Sequence, residues 1–118
     1  MSAAGPIGGW TAEVRRPRGR VTETLHFTPA GRVFLLPRGG SGWWCRADDD
    51  RFTFTIAEPV LGDDGAFRGW VRIEQSGIVR DGRFASSGTS RVYDADGAEL
   101  YTATVSISAR PQAPALAA

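Results

Sequence analysis

Lysine is absent from this chain, and all 14 of its basic residues are arginine. Against 13 acidic residues they leave a formal charge of +1, so no global field draws the protein to nucleic acid or to an anionic membrane. The arginine bias, together with abundant Ala and Gly, fits a GC-rich coding sequence better than an arginine-specific surface. The single cysteine, Cys45, allows no internal disulfide. The single histidine, His26, has no second ligand spaced to build a metal site with it, and no metal is expected. No apolar run approaches the roughly 20 residues that span a bilayer. No hydrophobic period near about 3.6 persists long enough for a helix of any size. The N-terminus has no basic region followed by an apolar stretch, so the expectation is a cytoplasmic protein.

What the chain does have is alternation. Phe52, Phe54 and Ile56 share one parity, as do Phe67, Gly69, Val71 and Ile73, then Phe84, Ser86, Gly88, Ser90 and Val92. The intervening positions carry Thr53, Thr55, Arg68, Arg72, Glu74, Ser87, Thr89 and Arg91, the composition of a solvated sheet face. Between these segments lie Gly62-Asp63-Asp64-Gly65, Arg80-Asp81-Gly82 and Asp94-Ala95-Asp96-Gly97. Asp beside Gly favours chain reversal, through positive φ or a side chain that closes an Asx-turn. The same alternation runs through Trp10 to Arg16, Arg20 to Thr28, Arg32 to Leu36, Trp43 to Ala47 and a last segment ending near Arg110. Pro37 to Gly42 reads as a Gly-rich loop.

Eight extended segments without a crossover helix predict an all-β protein, a closed eight-stranded antiparallel up-and-down β-barrel over residues 10 to 110. A chain of 118 residues has room for one such domain, which buries roughly two thirds of its unfolded surface. Residues 1 to 9 are expected to be a flexible N-terminus and residues 111 to 118 a disordered tail.

Gly8-Gly9-Trp10, just before the first segment, resembles the Gly-x-Trp signature of the calycin superfamily, which includes the lipocalins and fatty-acid-binding proteins. The resemblance implies that Trp10 closes one end of the barrel and packs on a basic residue near the end of the last strand, where Arg110 stands, or failing that on Arg15. The chain is short for a lipocalin and lacks the helix that follows the lipocalin barrel. In size and plan it is similar to the small bacterial barrels of the allene oxide cyclases and spirotetronate cyclases. That similarity implies a barrel without cofactors that cyclises a hydrophobic intermediate held in its lumen.

Chemistry is sought on the inward faces, where a polar group is costly unless it bonds a partner or a ligand. Glu23 interrupts Val21, Leu25 and Phe27. Glu58 follows Ile56, Gln75 follows Ile73, and Tyr101 opens the inward face of the last segment. Desolvation raises a carboxyl pKa towards neutrality, which suits Glu23 and Glu58 to proton transfer; with Tyr101, polar on an inward position, they are the catalytic candidates. The bland reading is that Glu58, beside Pro59, sits at a wet rim and that Gln75 belongs to a turn. For the ligand site, small residues on one wall, Gly69, Ser86, Gly88, Ser90 and Ala103, face Leu25, Phe27, Trp43, Phe52 and Phe54 on the other. That pairing predicts a slot for a flat or polyene ligand beside Gln75, against the alternative of solid interdigitation.

The function expected is a cyclase or isomerase acting, without a cofactor, on a hydrophobic, polyketide-like intermediate. The alternative is a non-catalytic barrel that binds a small hydrophobic molecule, and a third reading is a solid structural subunit. Trp70, between Arg68 and Arg72, offers with Leu100 an outward surface for a homodimer. One tryptophan and its arginines are too little for nucleic-acid binding. His26 falls on the outward face, and Cys45 reads as a packed thiol.

Overall fold

The structure, a computed structural model, describes residues 5–112. It is an all-β closed barrel of eight strands hydrogen-bonded in sequence order. The strands are β1 (Gly8–Arg16), β2 (Gly19–Phe27), β3 (Arg32–Leu36), β4 (Gly40–Arg46), β5 (Arg51–Leu61), β6 (Phe67–Arg80), β7 (Arg83–Asp94) and β8 (Glu99–Pro111). Every neighbouring pair is antiparallel, and β1 closes the ring on β8 from Trp10 opposite Pro111 to Arg15 opposite Ser106. No edge of the ring is left unpaired.

The Asp-Gly turns form as their chemistry requires. Asp81 and Gly82 both take positive φ, 56° and 74°, the conformation of a two-residue hairpin turn whose twist matches that of its strands. In the β7–β8 turn, Asp94 Oδ1 accepts from the backbone N–H groups of Asp96 and Ala98, both at 2.9 Å.

Alternation then fills the lower half of the lumen, the end where β1 begins. Phe27 sits at the centre of a ring cluster, edge-on to Phe54 at 5.2 Å, Phe52 at 5.6 Å and Phe84 at 5.9 Å. Trp10 closes the cluster from below, 4.9 Å from Phe84 at a 70° interplanar angle. Its indole N–H donates to the carbonyl of Pro6 at 2.6 Å. Each such ring removes from water an area worth about 1.5–3 kcal/mol, and each edge-to-face pair adds about 0.5–1.5 kcal/mol.

Several expectations are corrected. Gly8 and Gly9 belong to β1, so the first strand begins two residues before the expected residue 10, and Pro6 ahead of it is fully buried. The last strand runs through Pro111, and Gln112 N–H donates to Gly9 O; the rest of the predicted tail lies outside the described residues. Trp10 does not meet Arg110. The register sets Arg110 opposite Thr11 and turns its side chain outward, while Ala109 takes the inward position. Arg15 is held on the outer wall by Glu13, with Nε donating to Oε1 at 2.8 Å. Cys45 is exposed on the outer wall, its Sγ 3.3 Å from Thr53 Oγ1.

The largest correction is in β4, which begins at Gly40 and so takes in residues assigned to a loop. Glycine carries no side chain to display parity, and Gly40 and Gly42 hide the inward face of this strand. Counting from them puts Trp44 inward, edge-on to Phe27, and Trp43 outward. Trp43 is 63% exposed and is covered by the Arg32 guanidinium 4.4 Å from its ring.

Gly69 and Gly88, assigned to a ligand slot, serve the backbone. A Cβ on Gly88 would collide with the carbonyl oxygen of Glu74, and one on Gly69 with that of Tyr93, because neighbouring strands bend into close approach there. Gly88→Ala is expected to lower the unfolding free energy by about 2 kcal/mol or more in urea denaturation. The outward Ser87→Ala is expected to stay within about 0.5 kcal/mol.

Candidate functional site

The upper half of the lumen is built differently because two strands are short. β3 ends at Leu36 and β4 starts at Gly40, so the turn between them is lower than the ends of β5 to β8. Glu23 lies just beyond the last β2–β3 pair, Thr24 with Leu36. Glu58 lies just beyond the last β4–β5 pair, Ser41 with Ala57. Inward parity carries both side chains into the lumen on either side of that turn. The Glu23 and Glu58 side chains are 3% and 6% exposed.

Arg38, in the turn, spans the two. Its Nε is 3.5 Å from Glu23 Oε1, and Nη1 is 3.8 Å from Glu58 Oε2. These are ion-pair separations without hydrogen-bond geometry. Both oxygens of Glu23 and Oε1 of Glu58 are buried with no hydrogen-bond partner among the described residues. A buried acceptor left unmade costs about 1–3 kcal/mol, and more when charged. Burial pushes the Glu58 carboxyl above its ordinary range; Arg38 and Arg16 oppose the rise and the negative charge of Glu23 adds to it.

Above Glu58 the lumen opens into a cavity of about 600 Å³. Its walls are Val71, Ser90, Val92 and Ala103 from β6, β7 and β8. Its mouth is framed by Arg16 at the end of β1, by Pro17 and Arg18 of the β1–β2 turn, by Arg38 and by Tyr101. The walls are mostly apolar, the floor carries a carboxyl group, and the rim carries three guanidinium groups and a phenol. Such a cavity suits a small, largely apolar molecule with one polar end.

The residues expected at a site therefore separate into five groups. Glu58, Tyr101 and Ser90 line one cavity, with Glu23 beside it behind the Arg38 guanidinium. Tyr101 faces inward by parity yet is 60% exposed, since it stands at the rim. Gln75 and Ser86 face the lumen but satisfy each other and the backbone: Ser86 Oγ donates to Gln75 Oε1 at 2.7 Å, and Gln75 Nε2 donates to Val105 O at 3.1 Å. Leu25, Phe27, Phe52 and Phe54 form the packed floor below, and Gly77 opposite Phe52 leaves room for its ring. Gly69 and Gly88 shape the strands, and Trp43 is outside the barrel.

Reading the sequence by parity missed Arg38 and Arg18, which sit in turns where alternation says nothing, and Arg16, the last residue of β1. The available signal was Pro37-Arg38-Gly39, a charged residue in a tight turn between two short strands.

The raised pKa of Glu58 gives stability a definite pH dependence. The native state holds this proton more tightly than the unfolded chain, so Glu58 favours folding most at low pH. That contribution is lost as pH rises from about 4.5 through the raised native value. Glu58→Gln removes the titration. The stability of the variant relative to the unaltered protein is expected to increase as pH rises across this window, measured by urea unfolding at a series of pH values.

The closed eight-stranded antiparallel ring is compatible with a calycin-like barrel, with Trp10 as its plug but without the arginine contact of that plan. No protein-family model, curated protein or solved structure matches the chain.

Proposed function

We propose that the open end of the barrel binds a small, largely apolar molecule and that the protein acts on it as a cofactor-free cyclase or isomerase, with Glu58 as the group that moves a proton. The observation that carries this reading is the Glu58 carboxyl, buried, raised in pKa and lacking a partner for Oε1, at the base of a cavity with apolar walls. A carboxyl with its pKa moved towards neutrality both gives and accepts protons efficiently. An isomerisation or cyclisation in which it donates one proton and regains one needs no co-reactant, and the product keeps the mass of the substrate. Shape supplies the rest, since holding a flexible chain in a bent conformation removes much of the entropic barrier to ring closure. In this reading Glu23 pairs with Arg38 and keeps the Glu58 proton tightly held, and Tyr101 offers its hydroxyl at the rim.

One observation favours the alternative of binding without turnover. The mouth is open enough to leave Tyr101 60% exposed, whereas reactive intermediates are better protected where water is excluded. The experiment distinguishes the two. Organic extracts of the native host are incubated with the protein and followed by liquid chromatography and mass spectrometry. A new compound of unchanged mass, formed by the unaltered protein and not by Glu58→Gln, is the expected result. A compound retained by the protein but never converted would favour the binding barrel. Site occupancy is read independently with N-phenyl-1-naphthylamine, a neutral apolar fluorophore. Its emission is expected to rise on binding and to fall by about tenfold or more in Ser90→Leu, which fills the cavity. No fluorophore binding and no retained compound would leave the solid-barrel reading.

A further inference from the structure

The cavity is ringed by arginines, which at first sight makes it a site for an anionic head group. The buried groups indicate the opposite. Arg16, Arg18 and Arg38 stand at the rim; Arg18 is exposed and the Arg38 side chain is 48% exposed. Their charge is weakened by solvent and salt. The carboxyls of Glu23 and Glu58 are buried, so their charge is screened far less. One guanidinium stands at ion-pair distance from two carboxyls, and it hydrogen-bonds neither.

Among the described residues, the lower lumen supplies no donor to correct this. Its polar side chains, Gln75 and Ser86, are already engaged with each other and with Val105 O. Ser90 is a single hydroxyl on the opposite wall. Three buried carboxyl oxygens therefore await hydrogen-bond donors, and only Glu58 belongs to the cavity lining.

Resting on the reading that the open end binds a small molecule, we infer that its ligand enters polar end first with a hydrogen-bond donor, an ammonium or a hydroxyl group, against Glu58, and that a carboxylate-headed ligand of the same shape is rejected. An ammonium group gives the two carboxyls a second cation and a charge-assisted hydrogen bond. A hydroxyl group gives the bond without the charge. A carboxylate brings no donor and adds negative charge to a floor already built of two carboxyl groups, so it is disfavoured there whatever attraction it felt at the rim. The apolar body of the ligand then lies along Val71, Val92 and Ala103, with Tyr101 at the exit. Glu23 acts at one remove through Arg38, and becomes a direct partner only of a ligand that displaces that side chain.

The test is a matched series: octylamine, 1-octanol and octanoate compete with N-phenyl-1-naphthylamine at neutral pH, where the amine is an ammonium ion and the acid is ionised. The three share a tail and differ only at the head. Octylamine and octanol are expected to displace the fluorophore, with octanoate weaker than octylamine by about tenfold or more. In Arg38→Gln, where the competing guanidinium is gone, octylamine is expected to bind several-fold tighter while octanoate gains nothing. In Glu58→Gln the preference for amine over carboxylate is expected to shrink to within about threefold. Octanoate binding as tightly as octylamine, or more tightly, to the unaltered protein would overturn the inference while leaving small-molecule binding intact. Failure of the fluorophore and all three octyl compounds to bind would remove the binding reading and the inference with it. The series on the unaltered protein decides between these results even if a variant folds poorly.

Discussion

Closure of β1 on β8 is the constraint from which the remaining features follow. Once Trp10 to Arg15 are paired with Pro111 to Ser106, the ring has a fixed girth. Every inward side chain then competes for one enclosed volume. Eight strands give an interior that side chains just fill or that holds one small ligand. Here both outcomes occur in one barrel, stacked along its axis. Phe27, Phe52, Phe54, Phe84 and Trp10 come from four strands, β2, β5, β7 and β1, and pack together in the lower volume. At the upper level the inward positions are Val71, Ser90, Val92 and Ala103, too small to meet across the ring, and a cavity remains.

The two levels play different energetic parts. Aromatic burial below contributes a few kcal/mol per ring. It is against this that the barrel carries a pair of buried carboxyls above, whose desolvation costs several kcal/mol per ion even when paired. Arg38 offsets part of that cost. Its long contacts, 3.5 and 3.8 Å, leave the acceptors unmade. The Gln75–Ser86 pair, a few residues lower, shows how the same lumen treats a polar group with a purely structural role: donor and acceptor meet at 2.7 Å and the spare N–H reaches a backbone carbonyl. The contrast between a satisfied pair and an unsatisfied pair on neighbouring levels separates scaffold from site more sharply than residue type does.

Polar positions in the lumen were legible because strand alternation is strict. Glu23, Glu58, Gln75, Ser86 and Ser90 all lie where their parity places them. Trp43 was not legible, since its strand is entered through Gly40 and Gly42, and a residue without a side chain gives no parity from which to count. Gly69 and Gly88 were ambiguous for a related reason. A small residue on an inward position serves equally as a cavity wall or as a point where two backbones touch, and only the position of the neighbouring carbonyl distinguishes these. The calycin-like signature was informative about Trp10 as a plug but not about its partner, because a shift of one residue between Ala109 and Arg110 decides whether a side chain faces the lumen or the solvent.

The sequence by itself determined the strand count, the Asp-Gly turns and, wherever side chains display the alternation, which of them face inward, because these depend on a two-residue period and on local Asp-Gly chemistry within a few residues of one another. Only the tertiary structure decided which inward groups meet. Glu23 and Glu58 are 35 positions apart in the numbering and sit on strands that do not pair with each other. They share one guanidinium because β3 and β4 are short and their turn drops between them. The relative heights of strands around a closed ring depend on the register of all eight pairings together, and no local segment of the chain contains that information.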